Sequence, residues 1–291
     1  MTSFGVVEEI RRLLGVRRVG HCGTLDPLAT GLLVILIGEC TKVAQYLTDE
    51  DKAYQGQIRL GQETDTDDSE GKVLEERDAS HVTLAQAEAE AQKFIGTISQ
   101  TPPRFSAQKR QGVRAYERAR AGEDFEPEAR NVIVHEIALR RYEAGLLDFT
   151  CRVGKGTYVR SLARDIGSGL GVGGHVANLR RTYSGGFSLE HAHTLPELEA
   201  LTLEERRAKV HTLADAWSPR PVITLNAEDT VRVRRGQQAS LDKESVAAPE
   251  GSGATALAIS GTQPIAVGRL EWDRITRMYL FAPERNLFVA P

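Results

Sequence analysis

The sequence predicts an α+β fold with a small β-rich domain at its end. Three observations carry this. Capped amphipathic segments with the helical period recur at 3–14, 83–96 and from 157 onward; alternating segments of strand type lie between them; and 222–291 alternates short apolar runs with turns. At 291 residues, with 41% hydrophobic and 26% charged residues, the chain has ample material for a core. Its longest apolar run, Leu32 to Ile37, is far below the roughly 20 residues of a membrane-spanning helix. No charged-then-apolar leader opens it, so a cytoplasmic location is expected.

In chain order, Ser3 is the expected cap of a helix carrying Val6, Val7, Ile10, Leu13 and Leu14, closed by Gly15. Val19 to Gly31 then holds three glycines, Pro27 and a single carboxylate, Asp26, ahead of a buried strand over Leu32 to Ile37. Gly20 and Gly23 permit backbone angles closed to other residues, and Pro27 biases Asp26 away from helix. The acid is therefore held on a braced loop, although Asp-Pro is also an ordinary turn starter. A short helix is expected over Thr41 to Leu47. A half-buried strand over Lys52 to Leu60 has Tyr54, Gly56, Ile58 and Leu60 on one face.

The loop Asp65, Asp67, Ser69, Glu76 mimics calcium-ligand spacing, but Glu70 stands where the glycine of such a loop belongs, so no metal is expected. Thr83 and Gln86 form a capping box for a helix with Leu84, Ala87, Ala91, Phe94 and Ile95. Thr101 to Arg130 is irregular and basic, with one short helical piece near Tyr116 to Arg120. Two strands follow, Val132 to Leu139 and Leu147 to Val153. Gly154-Lys155-Gly156-Thr157 lacks the leading glycine of a phosphate loop, and Gly171-x-Gly173-Gly174 precedes a strand, so neither is a nucleotide fingerprint.

From a Thr157 cap, a helix buries Val159, Leu162, Ala163 and Ile166. Arg160 and Arg164 fall four residues apart on its other side, a like-charge pair that calls for an anionic neighbour. A helical stretch over Leu195 to Trp217 leads to a linker at 218–221.

Three cysteines without a Cys-x-x-Cys pair argue against disulfides and structural zinc, and Cys22 is not favoured over Asp26 as a nucleophile. The net charge of −3 is no footprint of a nucleic-acid binder, yet the charge is segregated. Arg104, Lys109, Arg110, Arg114, Arg118 and Arg120 form one basic run; Arg152, Lys155, Arg160, Arg164, Arg180 and Arg181 form another. Together they can make a phosphate-binding stripe.

Gly-His-Cys-Gly-Thr-Leu-Asp-Pro-Leu-Ala-Thr-Gly, from Gly20 to Gly31, resembles the catalytic signature of the TruB-type pseudouridine synthases, which convert uridine 55 of tRNA. Lys-Ala-Tyr at 52–54 is similar to that family's second motif and Gly-Thr-Tyr-Val-Arg-Ser at 156–161 to its third. The resemblance implies a pseudouridine-synthase fold: a mixed, largely antiparallel central sheet flanked by helices, spanning 1–217. It also implies a basic thumb insertion at 101–130 and a PUA-like RNA-binding domain at 222–291. It assigns Asp26 as the essential aspartate, Arg160 as its partner and Tyr54 as the ring that stacks on the base. His21, Tyr158, Leu179, Arg181 and Lys109 are implied substrate contacts, with Leu179 on the flipped base and Arg181 on phosphate. Members carry a strand and a Lys-Pro-x-Gly segment before the Met-Thr-Ser that opens this chain, so Met1 reads as a misassigned start.

Forming pseudouridine breaks the N1–C1′ bond, turns the base and joins C5 to C1′, with no redox change; no cofactor is expected. A carboxylate attacking C1′ or C6, or stabilising a cationic or glycal intermediate, suffices. The expected partner is the T-arm stem-loop of tRNA, the expected state a monomer with no protein partner. The competing classes are a non-catalytic RNA binder or RNA-folding chaperone, which leaves the braced aspartate unexplained, and a glycosidase, for which no second acid stands in an identifiable motif.

Overall fold

A computed structural model describes residues 1–105, 109–110, 113–114, 125, 127–217, 220–242, 246–247 and 253–287. The expected helical piece at 116–120 and part of the expected linker lie outside these.

The chain opens with α1 (Ser3–Leu14), β1 (Val19–Cys22), β2 (Ala29–Gly31) and β3 (Val34–Ile37); a 3-10 turn over Gly38–Val43 then runs into α2 (Ala44–Thr48). Next come β4 (Lys52–Leu60), β5 (Gln62–Thr64), β6 (Val73–Glu76), α3 (Leu84–Gln92), β7 (Gly96–Gln100), and the two-residue strands β8 (Lys109–Arg110) and β9 (Val113–Arg114). The long hairpin β10 (Arg130–Glu143) and β11 (Leu146–Val153) leads to α4 (Val159–Gly169), β12 (Gly174–Ser184) and β13 (Phe187–Ser188). Three short helices follow, α5 (Leu195–Ala200), α6 (Leu203–Ala208) and α7 (Leu213–Trp217). The remainder is β14 (Val222–Thr224), α8 (Ala227–Arg234), β15 (Ala239–Leu241), β16 (Val246–Ala247), β17 (Ala254–Ser260), β18 (Gln263–Asp273) and β19 (Met278–Asn286).

Two compact units result, one of residues 25–32 and 49–184, the other of 1–24, 33–48 and 185–291. The first is organised on a sheet in which β12, β4, β11, β10 and β7 lie side by side, each antiparallel to its neighbour, with β2 added in parallel along β12. Alternation on β4 puts Ile58 and Leu60 into the core with Phe149, Val153, Leu162, Ile166 and Val176, so α3 and α4 pack on one face. In the second unit β15, β19, β18, β17, β14 and β16 form a sheet, and α8, which strand patterning did not foresee, is capped by Asn226.

This division cuts the chain differently from the expected linker at 218–221. Trp217 is fully buried and shares a cluster with Cys22, Leu36, Leu257, Val267 and Leu287, so residues on both sides of the linker build one core. Other boundaries move for local reasons. Thr2, not Ser3, caps α1, its hydroxyl accepting from the Gly5 N–H. Tyr158, not Thr157, is the cap residue of α4, because the Thr157 hydroxyl donates to the Ile133 carbonyl. The helical stretch at 195–217 breaks into three because Thr202 with Glu205 restarts it with a second capping box after that of Thr194 and Glu197, and Thr212 with Asp215 restarts it again. The buried strand expected from Leu32 starts only at Val34, since the Leu32 N–H is taken by the Arg181 carbonyl.

Gly31 fixes where β2 meets β12. Its φ is +95°, and a Cβ there would lie 2.3 Å from the Arg181 carbonyl oxygen. Gly31→Ala is therefore expected to destabilise the protein by about 1–3 kcal/mol, read from the urea unfolding midpoint, because backbone must move to admit the methyl.

Candidate active site

Asp26 stands at the first position of a turn, closed by the Ala29 N–H donating to the Asp26 carbonyl at 2.9 Å, with Pro27 next. The structural and functional readings of Asp-Pro thus coincide: the backbone starts a turn and the carboxylate is left to act. Of the glycines expected to shape the loop, Gly23 has a positive φ, +79°, whereas Gly20 does not. Immediately after the turn, β2 runs along β12, with Ala29 beside Leu179 and Gly31 beside Arg181; across β12 lie Gly56 and Tyr54 of β4. Residues 26, 54, 179 and 181, distant in sequence, are thus brought together by two strand pairings.

Arg160, in the first turn of α4, meets the carboxylate with both oxygens: Nε donates to Oδ2 and Nη2 to Oδ1, each at 2.9 Å. Its remaining N–H groups are also engaged. Nη1 donates to the Thr66 carbonyl at 2.9 Å and lies 3.4 Å from the Asp68 carboxylate, while Nη2 donates to the Phe105 carbonyl at 3.1 Å. The Arg160 side chain is only 5% exposed and that of Asp26 33%, so a buried cation holds a carboxylate that still reaches solvent. Two-oxygen pairing by a planar guanidinium fixes the orientation of the acid.

Tyr54 lies half-buried against the core of this unit. Burial pushes its hydroxyl pKa up, while Arg181 hydrogen-bonds to it and Asp26 adds its charge nearby. Leu179 is buried in the same core. Arg181, for which the resemblance implies a phosphate contact, is 1% exposed, with Nε donating to the Leu32 carbonyl at 2.8 Å. It shares a strand face with Leu179 and so points inward, while Arg180 is exposed. Tyr158 exchanges two hydrogen bonds between its backbone and the Gln100 side chain, and its ring takes the Arg130 guanidinium at 5.2 Å. His21 lies on β1 opposite Ile35, in the other unit. Lys109 belongs to β8, and its side chain lies outside the described residues.

The anionic neighbours that Arg160 and Arg164 call for are Asp26, Asp67, Asp68 and Asp165. Asp67 and Asp68 were not singled out as partners from sequence, although an acid-rich Thr-Asp-Thr-Asp-Asp turn was the available signal. Asp65, Asp67 and Ser69, first weighed as calcium ligands, are engaged by the Lys72 N–H, Arg164 and the Ala177 carbonyl. Cys22 is buried, and burial pushes the Cys151 thiol up to about 12.

Arg160→Ala is expected to abolish turnover and to cost about 3–5 kcal/mol in urea unfolding, since it strips the buried Asp68 of its cation. A second expectation concerns pH. Burial raises Asp67 from its usual 3.8 to about 6, despite the pull of Arg164 and Arg160. A folded-state pKa above the unfolded one contributes stability fully present below about pH 4 and lost as pH rises through 6. The wild type should therefore lose stability relative to Asp67→Asn between pH 4 and 7, measured as the difference between their unfolding free energies.

The model of the TruB family pseudouridylate synthase N-terminal domain matches residues 11–159, and that of the tRNA pseudouridylate synthase B C-terminal domain matches 160–219. A tRNA pseudouridine synthase B of Thermobifida fusca is 46% identical over 248 residues, covering 82% of this chain and 83% of its own. That of Burkholderia pseudomallei is 44% identical over 245 residues, covering 84% and 80%. Among solved structures, a chain of a Cbf5-Nop10-Gar1 complex superposes with a TM-score of 0.75 at 25% identity, over 99% of this chain and 82% of that one. A chain of an H/ACA RNP bound to a substrate RNA containing 2'-deoxyuridine shares the fold, with a TM-score of 0.73 at 22% identity over 99% and 82%. With a carboxylate held at both oxygens by an arginine of the adjoining helix, and with the two family models matching residues 11–159 and 160–219 in succession, the chain belongs to the TruB family of pseudouridine synthases.

Proposed function

We propose that the protein isomerises uridine 55 in the T-arm of tRNA to pseudouridine, with Asp26 as nucleophile, acting as a cytoplasmic monomer without cofactor. The observation that carries this reading is the two-oxygen pairing of Asp26 with the buried Arg160. Such a pair supplies an oriented carboxylate that remains one-third exposed, which is what attack on a nucleoside requires. Asp26 adds to C1′ or C6 and is released again; the N1–C1′ bond breaks, the base turns in place, C5 joins C1′, and the proton lost from C5 is matched by one gained at N1, so no oxidant or energy source enters.

A base stacked in the T-loop must first leave the stack, at about a few kcal/mol, and be received by aromatic and apolar surface. Tyr54 takes the stacking role, Leu179 the apolar contact, and Tyr158 completes the receiving surface. Arg181 serves here by holding the Tyr54 hydroxyl and the Leu32 carbonyl. The segment 101–130, including Lys109, acts as a thumb on the RNA stem, and 222–291 as a PUA-like RNA-binding domain.

Incubation with uridine-containing tRNA and no cofactor, followed by mapping of pseudouridine, tests the reading. Product at position 55 is expected, and a protein that binds the tRNA without converting it would instead be an RNA binder. Asp26→Asn should keep the fold and tRNA affinity while abolishing turnover; appreciable conversion by the pure variant removes Asp26 as nucleophile.

A further inference from the structure

Arg160 and Arg164 lie on successive turns of α4 and reach the same two stretches of chain. Arg160 holds the Thr66 and Phe105 carbonyls. Arg164 donates from Nη1 to the Asp67 carboxylate and from Nη2 to the Thr101 carbonyl, both at 2.9 Å, while its Nε is tied to Asp165 at 2.9 Å on the same helix. Ser161, one position after Arg160, donates its hydroxyl to the same Thr101 carbonyl at 2.8 Å. The turn that supplies Thr66 is itself under constraint. Asp67 has a φ of +59°, a conformation that non-glycine residues rarely hold, and its carbonyl accepts from the Val176 N–H of β12 at 3.1 Å. Arg164 thus secures the far side of each segment whose near side sets the Arg160 guanidinium.

We propose that Arg164 is a positioning residue for the isomerisation: by holding Asp67 and the Thr101 carbonyl it fixes the two segments that seat Arg160, and through Arg160 it sets the direction in which Asp26 is presented. The proposal rests on Asp26 being the reactive carboxylate, as read above. Arg164 itself touches neither Asp26 in the structure nor any reacting atom in the scheme. Its side chain is 29% exposed, so a merely electrostatic surface role would be screened, whereas a geometric role acts through three specific acceptors.

The test compares wild type, Arg164→Gln, Arg164→Lys, Asp67→Asn and the double variant Arg164→Gln/Asp67→Asn. Single-turnover conversion at saturating uridine-containing tRNA gives a rate constant independent of the fraction of folded enzyme, and a separate binding titration gives Kd. Asp67→Asn is a mild probe, because asparagine also tolerates a positive φ. A displaced catalytic group costs rate rather than binding, so Arg164→Gln should lower the rate constant about tenfold or more with Kd changed less than about threefold. The lysine variant, which keeps the charge but cannot reach all three acceptors, should fall between. The double variant should be no slower than Arg164→Gln alone, since both changes break one contact. An unchanged rate constant in Arg164→Gln, or a loss confined to Kd, overturns the proposal. If wild type fails to convert the tRNA, the substrate reading falls, and the crystal structure of Arg164→Gln still decides this point. Loss of one of the two Arg160 hydrogen bonds to Asp26 supports it, and an unchanged two-oxygen pair overturns it.

Discussion

The site depends on one asymmetric ion pair. The guanidinium of Arg160 is almost wholly withdrawn from water, and each of its donors is matched by an acceptor, while the carboxylate it serves remains open on one side. A buried cation is tolerable only when its hydrogen-bonding capacity is filled, which makes its position over-determined. That determinacy passes to Asp26 through two parallel hydrogen bonds, a geometry a lysine in the same place would not impose.

The sheet makes this pairing possible at a separation of 134 residues. Asp26 is placed by a three-residue strand that would have no stability alone; its register on β12 is set by close backbone approach at Gly31 and by the Leu32 N–H to the Arg181 carbonyl. The same β12 residues face Tyr54 and Gly56 on β4, so the acid, the aromatic ring and the apolar floor share one reference frame. Arg181, buried beneath them, joins the Tyr54 hydroxyl to the end of the Asp26 loop. A charged residue with one face in the core thus acts as structural glue for its neighbours.

Much of this was legible beforehand. The span of β4 was read to the residue from alternation, and the capping box at Thr83 and Gln86 was read from spacing alone. Asp26 and Arg160 were identified through motif resemblance, and the like-charge spacing of Arg160 and Arg164 independently demanded acids nearby. Strand parity also places Arg181: with Leu179 inward, residue 181 turns inward as well, whatever its charge. The compact units were not legible, because Pro219 and Pro221 mark a break in local regularity and carry no information on which distant segments Trp217 packs against. Asp67 and Asp68 were hidden for a related reason: an acidic turn reads as solvated until the helix that covers it is known.

The way the chain is divided has a bearing on its synthesis. One unit draws on residues 49–184 with only a short preceding piece, so it is made before residues 185–291 of the other. The other joins residues 1–24 and 33–48 to 185–291, and Cys22 and Leu36 find Leu257, Val267 and Leu287 only once those later residues have been made. Closing so long a loop is costly in entropy and slow. Early apolar segments such as α1 and β3 therefore wait exposed in the nascent chain, which makes them the natural points for chaperone engagement during elongation.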